Sequence, residues 1–306
     1  PALDDLCVED AWLGPVPAGA LAHLTRLELT QCEFKGEWEE HEHAWPSLAE
    51  AAPRLEVLVC GSCDREAGDG IAALAERHPA LREARLQWLS PGALQRWARR
   101  LEALPRLSGL AVDFCGDVWV GSRQVWGPLV ARASREGSAD TLGREPLDAI
   151  GRCRHLTRLE LSADRRLPLQ HMLACLREGL GNTLLHLAIG HGLFLPKPAV
   201  ASEALQPLRL FTRLEKLELS VEAGAYKRTG RFEYPRAEAA LLALLAPLDA
   251  LLPRCASLRH LSVTMTGFIA GFADVACGLS RVCDRCRALT EAHPGKLITF
   301  AHEQDA

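Results

Sequence analysis

The sequence predicts an α/β fold built as a stack: short parallel strands lie side by side, and helical segments return the chain between them. Three observations predict it. The pattern L-x-x-L-x-L-x-x-C recurs along most of the 306 residues. Segments of helical periodicity separate its copies. Prolines stand just ahead of many copies, where a helix has to stop and the chain has to turn. Such a stack grows without a new core, so the usual division of roughly one domain per 150 residues does not apply. The whole of 1–306 reads as a single domain.

The copies can be phased residue by residue. Leu24, Leu27, Leu29 and Cys32 match fully, as do Leu55, Leu58, Cys60 and Cys63 with cysteine at the third leucine. Leu81, Ala84, Leu86 and Leu89 follow, then Leu107, Leu110, Val112 and Cys115. The later copies start at Leu156, Leu184, Leu214 and Leu258, with Leu159/Leu161, Leu187/Ile189, Leu217/Leu219 and Leu261/Val263 as their inner pairs. Weaker copies open the chain at Leu3, Leu6 and Val8 and close it at Leu297 and Phe300, which gives eight to ten repeats. In L-x-L, alternate side chains of a strand point one way, into the core. Each strand pairs in parallel with the next, so its backbone groups find partners in the neighbouring repeat.

The returns read as helices at 71–77, 94–104, 172–179 and 237–252. Pro53, Pro79, Pro105 and Pro253 stand between helix and strand. Successive first leucines lie 31, 26, 26, 49, 28, 30 and 44 residues apart. The 49 and 44 mark enlarged repeats, with insertions near 116–147 and 222–236.

The cysteines follow the repeat. Of eleven in the chain, Cys32, Cys63 and Cys115 take the last motif position, Cys60 an inward one, and Cys153 and Cys255 each lie three residues ahead of a first leucine. This arrangement resembles the cysteine-containing leucine-rich repeats of F-box proteins, related intracellular adaptors and ribonuclease-inhibitor-like proteins. The resemblance implies a leucine-rich-repeat solenoid, a horseshoe with a parallel concave sheet and helices on its convex side. No F-box is visible ahead of the repeats. Buried single thiols point to a reducing, intracellular compartment, cytoplasmic or nuclear. Cys277, Cys283, Cys286 and His293 have a spacing that could supply zinc ligands, but Cys283 and Cys286 at i, i+3 serve equally well as helix packing, and no metal is expected.

No phosphate-binding, dinucleotide, nucleophile-elbow or zinc-protease motif occurs, so neither a cofactor nor catalysis is expected. A net charge of −4 argues against nucleic acid as partner. No apolar run is long enough for a transmembrane helix. What remains is a surface for a protein partner. Two outward columns carry opposed charges within a strand, as in Arg26/Glu28, Glu83/Arg85, Arg158/Glu160 and Lys216/Glu218. The position before the last motif residue is less polar, with Trp88, Phe114, His191 and Met265 in its column. Trp88 and Phe114 fall on adjacent repeats and are expected to neighbour each other. The insertions add Trp119 and Trp126, then Tyr226, Arg228, Arg231, Phe232 and Tyr234, residue types that anchor interfaces. A third segment, 33–43, holds five glutamates against one lysine. The expectation is a non-catalytic interaction module whose partner docks on the concave face and the insertion-bearing rim. Substrate recognition in an F-box-type ubiquitin ligase is the version the resemblance implies. A scaffold subunit of a large assembly and a protein inhibitor of an enzyme are the alternatives.

Overall fold

The computed structural model describes residues 3–9, 12–13, 16–30, 32–34, 48–61, 77–89, 104–114, 147–148, 150–163, 169–193, 205–222, 234–268 and 279–304. The chain divides into two compact units, Pro1–Leu156 and Thr157–Ala306.

In the first unit the strands β1 (Asp5–Glu9), β3 (Arg26–Thr30), β5 (Val57–Gly61), β6 (Glu83–Leu89) and β7 (Gly109–Phe114) lie in that order, each parallel to the next. A short parallel pair, β2 (Trp12–Leu13) and β4 (Glu33–Phe34), stands apart from them. The strand register reproduces the sequence phase. Leu6, Leu27, Leu58, Ala84 and Leu110 face one another across successive strands, and so do Val8, Leu29, Cys60, Leu86 and Val112.

The second unit repeats the scheme with β8 (Arg158–Ala163), β9 (His186–Leu193), β10 (Lys216–Glu222), β11 (His260–Phe268) and β12 (Leu297–Gln304). Its inner rows are Leu159, Leu187, Leu217, Leu261, Ile298 and Leu161, Ile189, Leu219, Val263, Phe300. The closing copy is therefore phased differently from the expectation. Leu297 pairs with the outward His260 and is 52 % exposed, while Ile298 takes the inward place. The first-leucine position of this copy is Gly295, whose φ of +86° suits a residue without a Cβ.

Helices α1 (Leu169–Leu180), α2 (Tyr234–Leu245), α3 (Leu248–Leu251) and α4 (Ser280–Ala292) provide returns in this unit. In α1 the buried residues Leu169, Met172, Leu173, Leu176 and Leu180 recur every three or four positions, the stripe that one helical face presents to a core. Helix α4 buries Val282, Cys286 and Leu289 in the same way. It is tied to earlier elements by Arg285–Asp249 at 2.6 Å and Arg281–Glu238 at 3.3 Å. The expected helices at 71–77 and 94–104 lie almost wholly outside the described residues.

Two hydrogen-bond devices recur. The N–H of a first leucine donates to the carbonyl three residues back, as in Leu55 to Ala52, Leu81 to His78, Leu107 to Leu104, Leu156 to Cys153 and Leu258 to Cys255. This turn points the residue three places back inward, so Ala52, His78, Leu104, Cys153, Phe211 and Cys255 are all at most 5 % exposed. That burial is the reason cysteine, a small apolar side chain, suits the position. Second, the carbonyl just after a first leucine accepts two N–H groups from the following repeat. Thr25, Glu56 and Arg82 do so in the first unit and Thr157, Leu185 and Glu215 in the second, at 2.7–3.1 Å. Among the described residues no helix is long and apolar enough to cross a membrane.

Candidate functional site

The inward rows leave the alternate residues of every strand on the opposite face. In the second unit this face carries three rows in register. The first is Arg158, His186, Lys216, His260 and Leu297; the second is Glu160, Ala188, Glu218, Ser262 and Thr299; the third includes Ser220, Thr264 and Ala301. Neighbouring strands stand about 4.8 Å apart, so side chains of one row touch or nearly touch.

A polar cluster spans β9 and β10. His186 Nε2 donates to Glu218 Oε2 at 2.5 Å, in the tautomer with its proton on that nitrogen, and Lys216 Nζ donates to Glu218 Oε1 at 2.8 Å. Both carboxylate oxygens are thus engaged. The side chains are 19 % (His186), 37 % (Glu218) and 39 % (Lys216) exposed, so water still reaches the cluster. Partial burial works against the charged form of Glu218. The hydrogen bonds and charges of Lys216 and His186 outweigh it and hold the carboxyl below its ordinary range. On the next pair of strands His260 Nε2 lies 3.5 Å from Thr299 Oγ1. The arrangement holds one acceptor and several donors in place on rigid strands, where they can meet a partner with little further ordering.

Of the charge pairs expected within strands, Lys216–Glu218 forms, and so does Arg26–Glu28 at 3.0 Å, with Asp5 adding a third charge 3.6 Å from Arg26. Among the described residues Glu83/Arg85 and Arg158/Glu160 form no ion pair.

Met265 is corrected from a surface anchor to a core residue, being 0 % exposed. Strand β11 runs on past its inner pair, so Leu261, Val263 and Met265 alternate onto the same inward face; Val221 does the same on β10 and is 1 % exposed. The expected juxtaposition of Trp88 with Phe114 also changes. Their backbones lie on β6 and β7, but the register shifts after Leu86↔Val112, and Leu89 stands opposite Phe114. His191 falls within a similar irregularity of β9, where Leu193 pairs with Val221. Tyr234 opens α2. Trp119, Trp126, Tyr226, Arg228, Arg231, Phe232, Cys63, Cys115 and Cys277 lie outside the described residues, as does nearly all of 33–43.

Of the eight described cysteines, Cys7 and Cys283 are exposed, while Cys32, Cys60, Cys153, Cys255 and Cys286 are buried. Cys32 Sγ donates to the carbonyl of Val8, in the preceding repeat, at 3.3 Å, which gives the last motif position a reason to be cysteine. On α4, Cys286 is buried while Cys283 is exposed. His293 Nε2 lies 3.5 Å from Asp249 Oδ1 without hydrogen-bond geometry. Among the described residues no three His, Cys, Asp or Glu side chains converge as metal ligands would.

No protein-family model matches the chain, and no curated protein matches it.

Proposed function

We propose that the chain is a leucine-rich-repeat protein of the cysteine-containing type and a non-catalytic module for binding another protein. Support for the repeat type is the coincidence of phase: the leucines aligned in sequence are those paired in the sheets, and the same two hydrogen-bond devices mark one repeat after another. The binding reading rests on the His186–Glu218–Lys216 cluster with His260 beside it. An ordered polar patch on an open strand face is what a protein partner recognises through directional hydrogen bonds, with the aromatic and arginine residues of the insertions adding anchors.

The test is affinity capture with mass spectrometry, comparing the wild type with Glu218→Ala/His260→Ala and with Trp88→Ala/Phe114→Ala. A partner held by the wild type should be lost or strongly depleted in the Glu218/His260 variant, whose fold is checked by circular dichroism. Retention of every partner by that variant refutes the assignment of the surface. A substrate turned over by the purified protein refutes the non-catalytic reading.

A further inference from the structure

The turns that lead into the strands carry exposed arginines. In the first unit Arg54 and Arg106 stand immediately before the first leucines Leu55 and Leu107, and Arg82 immediately after Leu81. All three are exposed. The backbone of Arg82 is held by the repeat-to-repeat ladder: its N–H donates to Glu56 O at 2.7 Å, and its carbonyl accepts from Ser108 N at 2.9 Å. Arg54 and Arg106 hold the same motif position two repeats apart, roughly 10 Å at a strand spacing of about 4.8 Å, and Arg82, in the repeat between them, stands two positions further along its turn.

Two other arginines of this unit have carboxylate partners, Arg26 with Glu28 and Arg77 with Glu50 at 3.3 Å, while Arg85 and Arg154 form no ion pair among the described residues. Among the described residues Arg54 and Arg106 have none, and Arg82 has only Glu56, 3.6 Å away with both side chains well exposed. The three arginines outnumber the two carboxylates of the same turns, Glu56 and Glu83, on a chain whose net charge is −4. The same kind of turn in the second unit carries Arg213 and Arg259, exposed and likewise without an ion pair among the described residues.

We infer that the leading-turn arginines Arg54, Arg82 and Arg106 form a docking surface for an acidic protein segment, one rich in Asp or Glu. A guanidinium presents a planar fork of donors that takes a carboxylate through two parallel hydrogen bonds. Carboxylates on an extended peptide recur about every 7 Å along one side, a spacing that three long arginine side chains can follow. Nucleic acid fits less well. The turns 52–56, 78–83 and 104–109 contain no Phe, Tyr or Trp on which bases could stack, and Glu56 and Glu83 interrupt what would have to be a continuous phosphate track. This surface is distinct from the strand face proposed above, so either can fail without the other.

The experiment uses the full chain and a fluorescein-labelled peptide of alternating Glu and Ser, about twelve residues long to span all three arginines. Fluorescence anisotropy reads its binding. Arg54→Ala/Arg82→Ala/Arg106→Ala should weaken the peptide roughly tenfold or more, and salt should weaken the wild type steeply. Arg77→Ala/Arg287→Ala, which removes arginines already paired, should leave binding within about twofold of wild type. Matching circular dichroism and melting curves establish that the variants are folded. The inference is overturned if the wild type does not bind the peptide, or if the triple variant binds it as well as the wild type. It is also overturned if an oligothymidylate of equal length binds more tightly through the same three arginines.

Discussion

Replacing His78 by leucine is expected to stabilise the protein. His78 is 1 % exposed, and among the described residues neither ring nitrogen has a hydrogen-bond partner. It occupies the inward position of the leading turn, where other repeats place Ala52, Leu104, Cys153 and Cys255. A buried polar group stripped of water and given no partner costs about 1–3 kcal/mol, and leucine, of similar size, removes that cost while keeping the position filled with apolar surface. The expected gain for His78→Leu is therefore about 1–3 kcal/mol in urea unfolding near pH 8. A second signature follows from charge. Burial lowers the pKa of His78. Below about pH 6.5 the unfolded chain then binds a proton that the folded chain resists, so wild-type stability is fullest above that pH and falls as pH drops toward the depressed folded value. The slope approaches about 1.4 kcal/mol per pH unit for this one proton. In His78→Leu that share of the slope disappears. A variant less stable than wild type at pH 8, or one whose stability between pH 7 and pH 5 falls as steeply as before, refutes the reasoning.

Other expectations are as direct. Gly181→Ala would place a Cβ 2.7 Å from the carbonyl oxygens of both Arg177 and Leu210, so the backbone must shift; a loss of about 1–3 kcal/mol is expected in chemical denaturation. Lys296 Nζ donates to the carbonyls of Cys255 and Leu258, each at 2.7 Å, and Lys296→Met should cost about 1–3 kcal/mol by leaving both without that donor. Thiol labelling followed by peptide mapping should modify the exposed Cys7 and Cys283 first. Cys286, which burial pushes up to about 11, and Cys255, also raised by burial, should label only under unfolding conditions; prompt labelling of either would contradict their placement.

The strand phase is legible in the sequence because the repeat is itself a register. Aligning Leu27 with Leu58 and Ala84 in sequence also aligns them in the sheet, since each strand bonds to the one a single repeat away. Strand length is not written in the motif. Met265 looks like an exit residue when the strand is taken as L-x-L, and becomes core once β11 extends to Phe268. Irregular register hides the same way: one extra residue after Leu86 moves Phe114 away from the place opposite Trp88 that simple alignment implies. In the candidate site the Lys216–Glu218 pair is visible as i, i+2 neighbours on one strand face. The His186–Glu218 bond is a diagonal between strands and emerges only when His186 is set opposite Lys216. His78 is legible as a position but not as a liability, because its turn carries Ala, Leu or Cys equally well, and the sequence does not say which ring nitrogens find partners.

The shared carbonyls between repeats have a direction. The acceptor, such as Thr25 O or Glu56 O, always belongs to the earlier repeat, and the two N–H groups that seek it belong to the later one. Within each unit, a repeat that has already formed therefore offers a finished template to the residues that follow it. On a ribosome, where the amino-terminal part of a chain emerges first and can order before the rest is made, each new turn would meet its docking oxygen already in place. The architecture is suited to vectorial assembly, one repeat laid against its predecessor as elongation proceeds.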